Sequence, residues 1–327
     1  MLRAPRFWTG GDGVLPALLS PFAAISARLT AARVAKPGFT APVPVLCCGN
    51  VTLGGAGKTT LALDLAHRLR GQGIDAHILA RGYGGRARGP LRVIAGHEAS
   101  LVGDEALLLA AAAPTWIGAD RAATARAALA AGAAALVMDD GLQNPSLRKS
   151  LAFIVIDGGS GFGNACVFPA GPLREPIAAA AARAGAAVLI GPDRTGARAA
   201  LPEGLPVLTA RLDPGPESAS LKGRRVLAFA GIGRPEKFFA TLDEAGALVV
   251  ARQAFADHHP YRESEVSRLL AEAERLSACP VTTAKDRVRL PRHLGERVAV
   301  LTVALAWDEP ARLGALLAPF FPGAALV

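Results

Sequence analysis

A glycine-rich segment between an apolar strand and an amphipathic helix constrains the fold of this chain more than any other feature. The segment TLGGAGKT occupies positions 52–59, follows the apolar run 42–48 and precedes leucines at helical spacing in 59–70. In such a strand–loop–helix unit, backbone N–H groups and the positive end of the helix can surround a phosphate group. Glycines are required there because a side chain would block the approach of the phosphate oxygens. The segment therefore predicts a site for a nucleoside triphosphate.

Two side chains of this loop have distinct predicted roles. Lys58 would reach the β- and γ-phosphates, while the hydroxyl of Thr59 would bind Mg²⁺. Thr52 stands where the general pattern G-x-x-x-x-G-K-[ST] has its first glycine, so the match is incomplete at that position. The predicted nucleotide-binding residues of the loop are Thr52, Leu53, Gly54, Gly55, Ala56, Gly57, Lys58 and Thr59.

Two aspartates are predicted to lie beside this loop. The apolar run 133–138 is typical of a strand, and Asp139 and Asp140 follow it directly. In open parallel sheets the ligand binds at the carboxyl ends of the strands, where the glycine-rich loop would also lie. We therefore expect one of the two aspartates to hold the Mg²⁺ ion of a bound nucleotide.

Apolar strands alternate with helices along the chain, which predicts an α/β fold: a P-loop NTPase-like, mainly parallel sheet with helices on both faces. Hydrophobic residues make up 51% of the chain and charged residues 19%, which excludes a disordered protein. A stretch rich in Pro, Gly and Ser near 195–222 marks a boundary before a second, smaller α/β set. The predicted parts are an N-terminal helical segment at 1–40, a P-loop domain at 41–210 and a C-terminal α/β domain at 211–327.

The remaining apolar runs define further elements. The predicted strands are 76–80, 151–156 and 186–190 in the first set and 225–230, 247–251, 280–283 and 298–303 in the second. The predicted helices are 106–112, 122–131 and 263–276.

The charge balance favours anionic partners. The chain has 36 Lys and Arg against 27 Asp and Glu, a net charge of +9. A basic surface attracts phosphorylated ligands and anionic lipid. The basic residues form no continuous tract, so we predict no nucleic-acid-binding arm. Four cysteines in 327 residues exclude a disulfide scaffold and fit a reducing compartment.

The segment 1–40 combines apolar residues at roughly helical spacing with flanking arginines. Its uninterrupted apolar part, 14–27, is shorter than the roughly 20 residues that a membrane-spanning helix needs. Pro16 and Pro21 are also expected to interrupt it. Two interpretations stay open: a helix that lies in the membrane interface with its arginines near anionic headgroups, and an amphipathic helix packed on the domain.

Two groups of polar residues have more than one interpretation when taken alone. Asp104 and Glu105 precede a predicted helix, where acidic residues also serve as simple capping charges. The sequence DHHPY at 257–261 gathers titratable groups in a predicted loop, and a pair of surface histidines would explain it equally well.

In combination, these motifs resemble the tetraacyldisaccharide 4'-kinase family. They occur in order, run through most of the chain and form a far more specific set than the P-loop alone. The family P-loop also has threonine at the position of Thr52. The matching stretches are PVPVLCCGNVTLGGAGKTT (42–60), ARGYGG (80–85), VGDEA (102–106), DDGLQN (139–144), PAGPLREP (169–176), FADHHPY (255–261) and TTAKDRVRL (282–290).

The resemblance implies phosphoryl transfer from ATP, with Mg²⁺, to the 4'-hydroxyl of tetraacyldisaccharide 1-phosphate, a lipid A precursor. Asp104 matches the general base of the family and His258 its partner, with Lys58 as the catalytic lysine. Because Asp104 and His258 belong to different predicted domains, pairing would require the domains to approach. The other implied sites are Arg174 and Glu175 beside the nucleotide, Arg121 and Asn50 at the substrate, and Thr59, Glu105, Asp139 and Asp140 at the metal.

The resemblance also implies a location at the cytoplasmic face of the inner membrane, either peripheral or monotopic. A substrate with four acyl chains does not leave the bilayer easily, which favours the membrane interpretation of the N-terminal segment. The partners implied are this lipid and the anionic membrane surface, with no nucleic acid and no obligatory protein. One departure is Asn144, where the family usually has histidine, so any acid–base role at that position is lost.

Two other classes of protein share part of the pattern. Deviant-Walker ATPases of the ParA/MinD type also show G-G-x-G-K-T-T, but they carry a signature lysine before the two glycines, where this chain has Leu53. MinD-type membrane helices are also C-terminal, whereas the apolar segment here is N-terminal. GTPase metallochaperones would show N-K-x-D and Cys or His ligands near the nucleotide, and the sequence contains no such set.

Overall fold

The structure of the chain, a computed structural model, describes residues 5–10 and 13–325. Positions 1–4 and 11–12 of the predicted N-terminal segment, and 326–327 of the predicted C-terminal domain, lie outside the described residues. The strands of the described part are β1 (Val45–Gly49), β2 (Ala76–Ala80), β3 (Leu91–Val93), β4 (Thr115–Ile117), β5 (Ala135–Asp139), β6 (Leu151–Asp157), β7 (Ala186–Ile190), β8 (Val207–Pro214), β9 (Arg225–Ala230), β10 (Leu248–Ala254), β11 (Cys279–Thr283), β12 (Ala299–Leu301) and β13 (Val303–Trp307).

Helices connect most of these strands, as the alternating sequence pattern predicts. The α-helices of the same residues are α1 (Val14–Val34), α2 (Lys58–Gly71), α3 (Ala99–Val102), α4 (Asp104–Ala110), α5 (Arg121–Ala130), α6 (Ile177–Ala181), α7 (Pro235–Glu244), α8 (Glu263–Arg275), α9 (Ala284–Arg287), α10 (Arg292–Gly295) and α11 (Pro310–Leu317), and 3₁₀ turns lie at Arg6–Trp8 and Pro216–Leu221.

The larger sheet has the strand order β13-β8-β7-β6-β1-β5-β2-β4-β3. Its neighbours run parallel except at the two edges, where β13 pairs with β8 and β3 with β4 in antiparallel register. Leucines of α2 pack on one face of the sheet, and alanines of α5 pack on the other. The predicted mainly parallel α/β sheet with helices on both faces is therefore confirmed.

The smaller sheet is fully parallel, in the order β10-β9-β11-β12. Phenylalanines of α7 bury one of its faces. The amphipathic helix α8 buries the other face through Val266 and Leu270. The predicted second, smaller α/β unit is thus present.

The C-terminal part of the chain returns to the larger sheet. The single strand predicted at 298–303 is wrong, because Thr302 separates β12 in the smaller sheet from β13 in the larger one. Trp307 of β13 is buried and donates from Nε1 to Asp64 of α2 at 3.0 Å.

Strand β8 also crosses the predicted boundary at 210 and 211. The division into 41–210 and 211–327 therefore stays a prediction, and residues 303–317 pack with the first part.

Helix α1 is continuous over 21 residues, so the expected interruption by Pro16 and Pro21 is wrong. Pro16 lies in the first turn, where the backbone N–H groups have no partner within the helix. Pro21 cannot donate to the carbonyl of Ala17, and the hydroxyl of Ser20 donates to that oxygen instead, at 2.8 Å. At about 1.5 Å per residue the helix is about 31 Å long, which matches the thickness of a hydrocarbon core.

The two units meet in an ion cluster at the carboxyl end of β6. Asp157 contacts Lys237 at 2.7 Å and the guanidinium of Arg234, both at the start of α7. Burial alone would raise the pKa of Asp157, but the hydrogen bond from Lys237 and the charge of Arg234 outweigh it and hold the pKa below its ordinary value. The cluster therefore joins the P-loop side of the larger sheet to the smaller unit.

Leu313→Ala tests whether α11 belongs to the first core. The Leu313 side chain is fully buried against the larger sheet, so its truncation should cost about 2–5 kcal/mol. Urea unfolding is monitored by two signals, the loss of nucleotide binding and the loss of overall secondary structure. Both transitions should move to lower urea concentration in Leu313→Ala. The exposed Leu212→Ala is the control and should shift neither. Unchanged stability of the nucleotide-binding unit in Leu313→Ala would contradict the assignment.

Asp157→Asn should lower the free energy of unfolding by about 1 kcal/mol at pH 7, because exposed Lys237 and Arg234 are partly screened by solvent. The folded-state pKa lies below the unfolded value of about 3.9, so the contribution is complete above that value and disappears as pH falls through the folded pKa. Urea titrations from pH 7 to pH 3 measure the difference from wild type. A difference that grew on acidification would refute the ion cluster, and exposed Asp243→Asn is the control.

Candidate active site

Parallel pairing brings the predicted loop and the predicted aspartates together at the carboxyl ends of central strands in the larger sheet. β1 and β5 are neighbours, with Cys48 opposite Asp139. The P-loop follows β1 directly and Asp140 follows β5, so both lie at the carboxyl ends of adjacent strands. This arrangement confirms the expected shared edge.

The P-loop is held open by its own sequence. Gly54 and Gly57 have φ values of 128° and 93°, which L side chains rarely adopt. A Cβ atom at Gly57 would also lie 2.6 Å from Cδ1 of Ile190 on the neighbouring strand β7. Gly57 is the N-cap of α2, so the backbone N–H groups at this end of the helix stay free for a phosphate.

Asn50 braces the loop from inside. Its side chain is fully buried and donates from Nδ2 to Oγ1 of Thr52 at 3.1 Å and to the carbonyl of Gly54 at 3.2 Å. Its Oδ1 accepts a hydrogen bond from Nζ of Lys58 at 3.1 Å. The structure therefore argues against the predicted substrate contact by Asn50, because both polar atoms of its side chain form hydrogen bonds within the loop.

Lys58 is poised between two oxygen atoms. Besides Asn50, its Nζ lies 3.7 Å from Oδ1 of Asp140. Asp140 also accepts a hydrogen bond from Arg174 at 2.9 Å. Burial would raise the pKa of Asp140, but the charges of Lys58 and Arg174 lower it below its ordinary value. The sequence pattern predicted Asp140 beside the P-loop of Lys58, and only the family resemblance added Arg174; the structure brings the three side chains together.

Thr59 and Asp139 form a buried polar contact at the base of the P-loop. The hydroxyl of Thr59 donates to Oδ2 of Asp139 at 3.1 Å. The other oxygen, Oδ1, is buried and accepts no hydrogen bond. Burial, followed by the nearby carboxylate of Glu105, raises the pKa of Asp139 to about 7, although Lys58 and Thr59 oppose the shift. A buried carboxylate oxygen without a partner has the chemistry of a cation ligand.

The protein supplies only part of a metal site. Within residues 5–10 and 13–325, no three His, Cys, Asp or Glu side chains come close enough to hold an ion by themselves. Mg²⁺ commonly uses one or two carboxylates together with phosphate oxygens and water. Thr59 and Asp139, with Glu105 nearby, fit that partial set.

Arg174 and Glu175 point in different directions. Arg174 faces Asp140 and Gln143, whereas Glu175 is buried and accepts two hydrogen bonds from Arg183, at 2.7 and 2.9 Å. Gln143 links Glu175 at 2.9 Å to the backbone carbonyl of Asn50 at 3.0 Å. Glu175 therefore braces the P-loop through Gln143.

Asp104 and His258 meet across the two units. Nδ1 of His258 lies 2.8 Å from Oδ2 of Asp104, and Oδ1 of Asp104 accepts from the backbone N–H of Glu105 at 2.9 Å. Burial opposes ionisation of Asp104, but His258 and then Arg289 lower its pKa. The same hydrogen bond raises the pKa of His258 against the effect of burial. The pair predicted from two domains is formed in this structure, with the domains in contact.

Other motif residues surround this pair. Glu105 contacts Nζ of Lys285 at 2.8 Å. The exposed ring of Tyr83 lies edge-on to the His258 ring, with centroids 6.1 Å apart. Four residues of the stretches that carried the family resemblance were assigned no contact from the sequence: Tyr83, Gln143, Lys285 and Arg289.

Two further predictions have a structural outcome. Arg121 is 2% exposed, and its guanidinium donates to the carbonyls of Ala80, at 2.7 Å, and Gly118. Burial against the larger sheet argues against direct substrate contact by Arg121.

Asn144, where the family usually has histidine, accepts hydrogen bonds from the backbone and hydroxyl of Ser146, so it stabilises a turn.

Comparison with known proteins agrees with this geometry. A profile of the family described as LpxK, tetraacyldisaccharide-1-P 4'-kinase, matches residues 15–320. The chain is 59% identical over 311 residues to the tetraacyldisaccharide 4'-kinase of Gluconacetobacter diazotrophicus, covering 94% of this chain and 95% of that one. It is 55% identical to the enzyme of that name from Rhodospirillum centenum, covering 98% of each.

A solved structure shares the fold. It is described as an "apo" form of LpxK from Aquifex aeolicus in complex with ATP, and it matches with a TM-score of 0.74. The match covers 94% of this chain and 99% of that one, at 24% sequence identity, and so bears on the fold alone. Given the profile match and the close relatives, this chain belongs to the tetraacyldisaccharide-1-P 4'-kinase family.

Proposed function

We propose that this protein transfers the γ-phosphoryl group of ATP to the 4'-hydroxyl of tetraacyldisaccharide 1-phosphate, giving the 1,4'-bisphosphate lipid IVA in lipid A biosynthesis. The Asp104–His258 pair carries the proposal, because it sets an ionised carboxylate beside the site formed by Thr59 and Asp139. The close relatives that bear the kinase name support the choice of substrate.

The pair suits transfer to a sugar hydroxyl. Such a hydroxyl has a high pKa, so its attack needs a base within hydrogen-bond reach. Asp104 accepts the proton, while His258 fixes the orientation of the carboxylate and balances its charge. Lys58 and the free N–H groups of the P-loop orient the phosphates and stabilise the negative charge that develops during transfer.

Thr59, Asp139 and Glu105 are the residues that would hold Mg²⁺. The ion held there would supply positive charge that offsets the negative charge of the phosphates. Asp140 lies between Lys58 and Arg174, so we assign it to orienting these two cations. Arg174 faces the nucleotide side of the loop, and buried Glu175 acts indirectly by bracing Gln143.

The switch-ATPase alternative is not favoured. A ParA/MinD-type protein needs its signature lysine before the two glycines, and Leu53 occupies that position. It also has no need for a carboxylate–imidazole pair that joins the P-loop unit to a second parallel sheet. Family membership points the same way.

We further propose that α1 binds the anionic cytoplasmic face of the inner membrane. The helix is long and apolar enough to cross a bilayer, by length and composition only. Ala23 is its one buried residue, and five large side chains form an exposed stripe at spacings of three and four residues: Leu15, Leu18, Phe22, Ile25 and Leu29. Arg28 and Arg33 provide charge for anionic headgroups.

Asp104→Asn should reduce kcat by about 10²- to 10⁴-fold, because the attacking hydroxyl loses its base. The KM for ATP should change little. The measurement is transfer of radiolabelled γ-phosphate to tetraacyldisaccharide 1-phosphate in mixed micelles, with exposed Asp213→Asn as the control. Wild-type activity in Asp104→Asn would remove the residue from the mechanism. Absence of transfer by folded, ATP-binding wild type would refute the lipid-kinase function and revive the switch ATPase.

Phe22→Glu should weaken binding to phosphatidylglycerol vesicles by at least about tenfold, because it places a charge within the apolar stripe. Ala24→Glu is the matched control. Each residue advances about 100° around a helix, so exposed Ala24 lies on the side away from the stripe. Vesicle flotation measures binding. Equal loss in both variants would show lipid on every side of α1, and no loss in either would refute membrane attachment through this helix.

A further inference from the structure

Arg289 contacts both members of the Asp104–His258 pair, one directly and one through a shared backbone oxygen. We propose that Arg289 is a positioning residue that fixes Asp104 and His258 relative to each other across the junction of the two sheets. The inference rests on the proposed kinase function, and it assigns a role to a residue at the end of the stretch TTAKDRVRL.

The guanidinium of Arg289 is almost enclosed, and each of its three nitrogen atoms contacts at least one oxygen. Its side chain is 6% exposed. Nε lies 3.4 Å from Oδ2 of Asp104, the oxygen that also faces His258. The same Nε donates to the carbonyl of Lys285 at 3.1 Å, and Nη2 lies 3.1 Å from Oδ1 of Asp286. Arg289 is therefore held by its own unit while one edge reaches the carboxylate of the other.

The link to His258 passes through Gly231. The carbonyl oxygen of Gly231 accepts from Nη1 of Arg289 at 3.0 Å and from the backbone N–H of His258, also at 3.0 Å. Nη1 donates as well to the carbonyl of His259 at 3.3 Å. His258 has a φ of 58°, a left-handed conformation that a non-glycine residue adopts only when its surroundings hold it there. Arg289 supplies part of that support.

Asp286 gives the arginine a rigid base. It is fully buried, and its Oδ1 also accepts from the backbone N–H of Gly231 and from the hydroxyl of Tyr261, each at 2.8 Å. Its Oδ2 accepts from the hydroxyl of Thr283 at 2.6 Å. The loops after β9, β10 and β11 are thus tied together behind Arg289. A shift of this residue would move the His258 loop and release Asp104 together.

The geometry requires arginine in particular. A guanidinium offers five donors in a planar fork, and here they serve acceptors on three loops and one carboxylate on the other unit. Lysine keeps the positive charge but concentrates its donors at one atom. Arg289→Lys therefore separates the charge from the placement of the pair.

Arg289→Lys and Arg289→Met should each lower kcat by about 10- to 100-fold, because small displacements of reacting groups are costly. The KM for ATP should stay within about twofold, since Arg289 does not touch the P-loop side. Arg297→Met is the matched control, because it removes a positive charge from an exposed ion pair with Glu274 in the same unit. It should keep wild-type kinetics. Activities are normalised to the number of ATP-binding sites.

A double-variant cycle distinguishes positioning from a general structural effect. If Arg289 acts through the pair, adding Arg289→Lys to Asp104→Asn should reduce kcat by less than about threefold further. Losses that multiply in full would overturn the proposal. So would wild-type kcat in both single variants, or in Arg289→Lys alone if Arg289→Met does not fold.

A readout independent of activity separates this inference from the proposed function. The ring N–H proton of His258 that faces Asp104 should give a downfield NMR signal in the wild type, and the signal should be lost in Arg289→Lys and kept in Arg297→Met. An unchanged signal in Arg289→Lys would overturn the positioning role. If wild type shows the signal but does not phosphorylate the lipid, the kinase function fails while the positioning role stands on the signal alone.

Discussion

The pairing of β1 between β5 and β6 is the constraint on which the rest of the site depends. Parallel register places the P-loop, Asp139 and Asp157 at one end of the sheet, because Asp139 and Asp157 are the last residues of β5 and β6 and the P-loop lies after β1. The strands are buried on both faces, so their register cannot slip without exposing apolar side chains. The fixed backbone then sets the position of each polar side chain, including a carboxylate oxygen of Asp139 that is buried without a partner.

The second constraint is that the carboxyl ends of parallel strands in the two sheets face the same junction. Loops after the strands of the smaller sheet bring His258, Lys285 and Arg289 against Asp104 and Glu105 at the start of α4. Each of these two acidic residues contacts at least one basic residue of the other unit. The Asp157 cluster adds a third contact of the same kind. The site is therefore shared, and neither sheet contains it alone.

Helix α1 differs from the other helices because its large apolar side chains are exposed. The large apolar residues exposed elsewhere are isolated along the chain, whereas those of α1 form a continuous stripe, and Ala23 is the one buried residue of the helix. The structure holds the flanking segments in place: the indole of Trp8 donates to the carbonyl of Pro169, and Phe39 pairs with Leu147. An exposed apolar surface of this extent is characteristic of an interaction site. Its anchoring close to the loop before Arg174 sets the helix beside the catalytic unit.

The sequence by itself determined the P-loop, most strands and helices, and the family. These signals are local: glycines where φ is positive, leucines at helical spacing, apolar runs of strand length. It also grouped Asp104 with His258, but only through resemblance, since 154 positions separate them. Tertiary structure alone decided that Asn50 and Arg121 are buried, that β13 returns to the larger sheet, and that Arg289 touches the pair. The physical reason is that these outcomes depend on contacts between distant segments, which no local pattern of residues records.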